Sequence, residues 1–89
     1  MGLKTRHLVI RESFKPNGRS EGERVIDELD NPVDASEVMQ MYYEQALINL
    51  PERGKEITDH WCRGFSASIV LADGGRINFK CPAIDEKEV

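Results

Sequence analysis

The side chains able to do chemistry are few. His60 and Cys62 stand two residues apart, and His7 and Cys81 are the only other histidine and cysteine. Structural zinc sites announce themselves by paired Cys or His in two clusters, whereas this chain holds one His-x-Cys. The plain reading is a surface histidine and two ordinary thiols, so neither a metal nor another cofactor is expected. Gly64-Phe65-Ser66-Ala67-Ser68 comes within one residue of the Gly-x-Ser-x-Gly nucleophile elbow. That elbow needs a sharp strand-to-helix turn, and this stretch reads as continuous strand. Asp59 beside His60 could orient an imidazole toward a serine, but no spacing fixes that geometry. Gly54-Lys55 resembles the end of a phosphate-binding loop, yet Asn49 and Glu56 stand where Gly and Ser or Thr are required. No assembled catalytic set emerges, and the protein is read as a non-enzyme.

The elements that position these residues are clearer. Asp73-Gly74-Gly75 separates two runs that alternate apolar and polar residues, the signature of a hairpin. A three-residue loop, Asp73-Gly74-Gly75, sets Leu71 against Ile77, Ile69 against Phe79 and Ala67 against Cys81. One face then carries Phe65, Ala67, Ile69, Leu71, Ile77, Phe79 and Cys81. The other carries Ser66, Ser68, Val70, Arg76, Asn78 and Lys80. A two-residue loop would mix apolar and polar residues on both faces, so the half-buried sheet selects the longer one.

Upstream, Asp34-Ala35-Ser36-Glu37 reads as a capped helix start running to about Asn49, with Pro51 fixing its end. Met39, Tyr42, Tyr43, Ala46, Leu47 and Leu50 form its apolar stripe; Glu37, Gln40, Glu44 and Gln45 cover the solvent side. The stripe suits the apolar face of the hairpin. Arg6–Lys15 alternates as a first strand closed by Pro16-Asn17-Gly18, and Gly18–Gly22 reads as a mobile loop. Glu23–Asp30 fits either a short helix or a strand hairpinned to the first; the strand is favoured, because a lone two-turn helix is marginal. Lys55–Arg63 is a strand or extended lead-in, with Trp61 expected in the core under the helix. A bulge at Arg63-Gly64 would reset its parity.

These elements predict an α+β fold over residues 1–89 as a single domain. One amphipathic helix packs on a three- to four-stranded antiparallel sheet in the order β-(β)-α-β-β. Residues 1–5 and the acidic tail 84–89 are expected to fray. A composition 39% hydrophobic and 31% charged suits a soluble globular chain. No apolar run reaches transmembrane length, no secretion signal is visible, and the cytoplasm is the default setting. Cys62 and Cys81 are expected to have opposite parity, which disfavours a disulfide between them.

Charge is polarised: residues up to Arg24 carry +3 and the remainder −7, within a net −4. If the first strand joins the hairpin, Arg11, Ser13 and Lys15 share a side with Ser66, Ser68, Arg76, Asn78 and Lys80. That makes a cationic sheet face opposite the helix, the candidate binding surface. The leading functional expectation is a small protein-binding or regulatory module of inhibitor or adaptor type, with an unidentified protein partner and no membrane. Nucleic-acid binding by the basic half is the alternative, weakened by the lack of exposed aromatics for base stacking. A small enzyme or metal protein built on His60 and Cys62 is the third. Exposed sheet edges suit a homodimer.

Overall fold

The computed structural model describes residues 3–87, with side chains from 5 to 85. The chain runs β1 (Leu3–Phe14), β2 (Ser20–Leu29), α1 (Pro32–Glu52), β3 (Ile57–Arg63), β4 (Ser66–Leu71), β5 (Arg76–Lys80) and β6 (Ala83–Lys87). All pairings are antiparallel, in the order β2-β1-β5-β4-β3, with β6 also on β1. The α+β class with a single helix is as expected, but the sheet has six strands rather than three or four.

Helix α1 carries the chain from β2 at one sheet edge to β3 at the other. Its 21 residues span ~31 Å, ample to cross five strands spaced ~4.8 Å apart. The helix starts three residues earlier than the sequence suggests. Asn31 is the N-cap, its Oδ1 accepting the Asp34 N–H at 2.9 Å while its Nδ2 donates to Asp34 Oδ2 at 2.7 Å. Pro32 then occupies the first turn, where a missing N–H costs nothing. Pro51 is carried inside the last turn rather than ending the helix, and Arg53 N–H closes on Asn49 O at 3.2 Å. The apolar stripe lands where expected: Ala35, Met39 and Tyr43 are buried, with Tyr42, Ala46, Leu47 and Leu50 partly so. They meet Val9, Ala67, Ile69, Leu71, Ile77 and Phe79 of the sheet. Full burial of side chains such as Met39, Ile69 and Val9 contributes ~1.5–3 kcal/mol each.

The β4–β5 hairpin keeps both predicted faces but shifts its pairing by two residues. Ile69 lies opposite Ile77 and Ala67 opposite Phe79. The loop is Ala72-Asp73-Gly74, closed by Leu71 N–H to Gly75 O at 2.8 Å. Gly74, not Gly75, takes the left-handed conformation, with φ 93°. A shift by two preserves parity, so the hydrophobic pattern alone could not separate the two registers.

Glu23–Asp30 falls mainly in strand, as favoured, and β2 begins at Ser20 inside the stretch read as a mobile loop. A second hairpin, β3–β4, turns through Gly64-Phe65, with Gly64 at φ 51° in the first loop position. Glycine there is what a type II′ turn requires. Phe65, placed by the sequence in the apolar face, is instead a turn residue and 51% exposed.

The ends also differ from expectation. β6 continues β5 along the same edge of β1 in one register, from Ile10 opposite Lys80 to His7 opposite Ala83. Cys81-Pro82 interrupts the ladder because proline has no N–H, yet Pro82 O still accepts the Leu8 N–H at 3.1 Å. Residues 3–5 and 84–87 are therefore paired strand rather than frayed ends; that expectation for 1, 2, 88 and 89 lies outside the described residues. Thr5 Oγ1 donates to Asp85 Oδ1 at 2.8 Å, a polar contact across the β1–β6 ribbon. Among the described residues, no helix is long and apolar enough to cross a membrane.

Candidate sheet-face binding site

The helix covers one face of the sheet and leaves the other open. On the open face, an irregular depression of about 400 Å³ lies over β3, β4, β5 and β1. Ser66, Ser68, Arg76, Asn78 and Lys80 converge on it as the sequence predicts. Ser68 is buried, and its Oγ donates to Asn78 Oδ1 at 2.8 Å, which leaves the Asn78 amide nitrogen as that side chain's remaining donor. Val70 and Ile10 supply an apolar floor.

Arg11 does not belong to this site. The pairs Arg11–Phe79 and Ser13–Ile77 put Arg11 and Ser13 on the helix side, whereas Ile10–Lys80 and Glu12–Asn78 put Ile10 and Glu12 on the open face. Arg11 instead borders a smaller cleft with Ile26, Tyr42 and Asn49. The sequence misleads here because Leu8, Val9 and Ile10 are all buried, one on the helix side and two on the other. A continuous apolar run carries no parity signal. Lys15 lies past the end of β1, sharing a second depression with Phe14, Gly18, Gly74 and Arg76.

Trp61 is the residue that sequence reasoning put on the wrong face. An irregularity between Ile57 and Asp59 admits one extra residue in β3, so Asp59, Trp61 and Arg63 lie on the open face. Trp61 is 46% exposed and lines the depression beside Ser68, its partner across the strand pair. The parity reset expected at Arg63-Gly64 occurs as the Gly64-Phe65 turn, not as a bulge, and the irregularity near Thr58 is a second break that the sequence reading did not include. A Thr58 that sits at the break, its Oγ1 donating to Val70 O at 3.3 Å, is the only hint in the sequence, and it is a faint one.

The face is not purely cationic. Lys80 Nζ lies 2.6 Å from Glu23 Oε1, and that hydrogen bond pushes the Lys80 ammonium up from its ordinary value. Glu12 stands close by, its Oε2 accepting from Ser20 Oγ at 2.6 Å, and Asp59 lines the same depression. Among the described residues, Arg76 and Arg63 have no ion-pair partner, so Arg76 is the free cation of the depression.

His60 and Cys62 share the helix side, as residues two apart on a strand must. Tyr43 Oη and His60 Nδ1 are hydrogen-bonded at 2.6 Å, with the rings tilted by 52°. Burial raises the Tyr43 phenol and the Cys62 thiol above their ordinary values. Cys81 faces the helix side as expected, but Cys62 shares it, contrary to the parity argument, because the two-residue Gly64-Phe65 turn sets Cys62 opposite Ala67. Both thiols are free, and burial, reinforced by Cys62, pushes Cys81 up to about 11. Cys81 Sγ donates to Ala35 O at 3.4 Å, at the start of the helix. Among the described residues, no three His, Cys, Asp or Glu side chains are placed to hold a metal ion. Asp59 Oδ1 accepts the backbone N–H of His60 at 2.9 Å, while the two side chains point to opposite faces. Ser66 and Ser68 also lie on the face away from His60, so these groups do not form a relay.

No family model, curated protein or solved structure matches this chain.

Proposed function

We propose that this is a non-enzymatic binding module, of inhibitor or adaptor type, that holds a protein partner against the open sheet face. The carrying observation is Trp61, half exposed beside an apolar floor and a free guanidinium, Arg76. Tryptophan and arginine are over-represented among the few residues that carry most of the binding energy of protein interfaces. Asn78 and Ser66 at the same depression supply directional hydrogen bonds. Acidic neighbours Glu12, Glu23 and Asp59 favour a protein segment of mixed charge over a uniform polyanion. Two free thiols suit a reducing compartment, which makes the cytoplasm the proposed setting.

Trp61 also supports a second reading. A tryptophan with Arg76 and Lys80 on a bare sheet is a platform on which single-stranded nucleic acid stacks. One aromatic among three carboxylates is a poor platform, so this reading ranks below the first.

Affinity capture from a nuclease-treated extract of the source cell, comparing wild type with Trp61→Ala and Arg76→Glu, separates the two. A stoichiometric protein held by wild type and lost in both variants supports the module. Capture that disappears with nuclease treatment moves nucleic acid to first place. A partner retained equally by all three proteins overturns the site.

A further inference from the structure

The edge strand β3 carries a charge pattern that is complementary to itself. Leu71 N–H bonds to Gly75 O and Cys81 N–H to Phe65 O, so the odd-numbered residues of β4 spend their backbone bonds on β5. Ser66, Ser68 and Val70 therefore bond to β3, through Arg63, Trp61 and Asp59. The backbone groups of His60 and Cys62 are left pointing away from the sheet. The His60 N–H is met by the Asp59 carboxylate, 2.9 Å away, and not by a neighbouring strand; a strand that pairs here displaces that carboxylate and frees it for an ion pair.

We propose that two copies of this chain pair antiparallel along β3, about a two-fold axis at Trp61. Hydrogen-bonded positions in an antiparallel ladder must both point outward, so His60 of one copy meets Cys62 of the other, twice over. Trp61 then faces its own counterpart at the close, non-hydrogen-bonded position. Asp59 faces Arg63 of the other copy, and Arg63 faces Asp59, all on the open face. Arg63 has no ion-pair partner among the described residues, which leaves it available for this role. Sliding the pairing by two residues either way keeps the ladder but loses both Asp–Arg pairs. The same symmetry is unfavourable at β2, whose Glu21, Glu23, Asp27 and Glu28 outnumber Arg24 and would meet like charges. The product is a continuous twelve-stranded sheet with a depression on each side of a central tryptophan pair, a closed isologous assembly. This pairing does not depend on what occupies the depressions.

The test is sedimentation equilibrium on purified protein, with no partner present. Wild type, Asp59→Arg, Arg63→Asp and the doubly exchanged Asp59→Arg/Arg63→Asp are compared at matched concentrations, each verified as folded by circular dichroism. Within one chain the two positions are four residues apart on a strand and do not touch, so rescue can arise only between copies. Each single reversal turns two attractive pairs into two repulsive ones and should weaken the dimer at least about tenfold. The double exchange should restore it. A wild type that stays monomeric, single variants that dimerise as well as wild type, or a double exchange no better than the singles would each overturn the proposal.

Discussion

Replacing Gly74 isolates the turn that sets the β4–β5 register. Gly74 sits at φ 93°, and an added Cβ would lie 3.3 Å from Pro16 O in the β1–β2 loop. The left-handed backbone costs a non-glycine residue ~1–2 kcal/mol, so Gly74→Ala should lose about that much by urea unfolding. For a chain of this size the loss corresponds to roughly 4–8 °C of Tm per kcal/mol. Gly74→Asn presents the same Cβ to Pro16 but tolerates the left-handed region, and should recover a large part of the loss. Gly75 is the informative contrast. A Cβ there would come within 2.9 Å of Asp73 Oδ1, the atom that accepts the Gly75 N–H at 2.7 Å. Gly75→Asn should therefore show no advantage over Gly75→Ala. An Asn that rescues position 75 but not 74 would refute the register, because it would move the left-handed residue to the end of an Asp73-Gly74-Gly75 loop.

Other parts of the structure give equally direct expectations. Met39→Ala, which empties a fully buried site between helix and sheet, should cost ~2–5 kcal/mol in urea unfolding; a loss under ~1 kcal/mol would place Met39 outside the core. Tyr43→Phe and His60→Ala should show a coupling of ~0.5–1.5 kcal/mol in a double-mutant cycle, and simple additivity would mean that their hydrogen bond contributes nothing. Cys81 should react with iodoacetamide far more slowly at pH 8 in folded than in urea-unfolded protein, since its thiol ionises only near pH 11. Its raised value also means that the unfolded chain loses this proton first. Stability should be whole below about pH 9 and fall toward pH 11, with a flatter profile in Cys81→Ala.

What the sequence made legible follows from where its patterns are unambiguous. Met39, Tyr43 and Ala46 recur at helical spacing, and Ile69, Leu71, Ile77 and Phe79 alternate, so the helix stripe and its sheet partner face were readable. The helix start was placed at Asp34 because Asp34 and Glu37 make a cap-like pair, although Asn31 and Pro32 supply the actual N-cap and first-turn proline three residues earlier. β6 escaped notice because its stability comes from pairing with β1 and from polar cross-strand contacts, not from apolar alternation. The largest errors concern the site. Leu8-Val9-Ile10 hides the parity of β1, and one extra residue near Thr58 reverses Trp61 relative to Ile57. Five of the seven predicted site residues, Ser66, Ser68, Arg76, Asn78 and Lys80, nevertheless lie together, because the β4–β5 faces survive a two-residue register shift. Arg11 and Lys15 were placed by the strand whose parity was hidden.

Trp61 is the only tryptophan in the chain, so its fluorescence reports on the open face alone. The decisive measurement is acrylamide quenching of Trp61, at fixed protein concentration, before and after saturation with the captured partner. If the partner occupies the open face, emission shifts to shorter wavelength and quenching drops, and Arg76→Glu abolishes both changes at the same partner concentration. A partner that binds fully while Trp61 stays as quenchable as before would place the interface elsewhere and contradict the account.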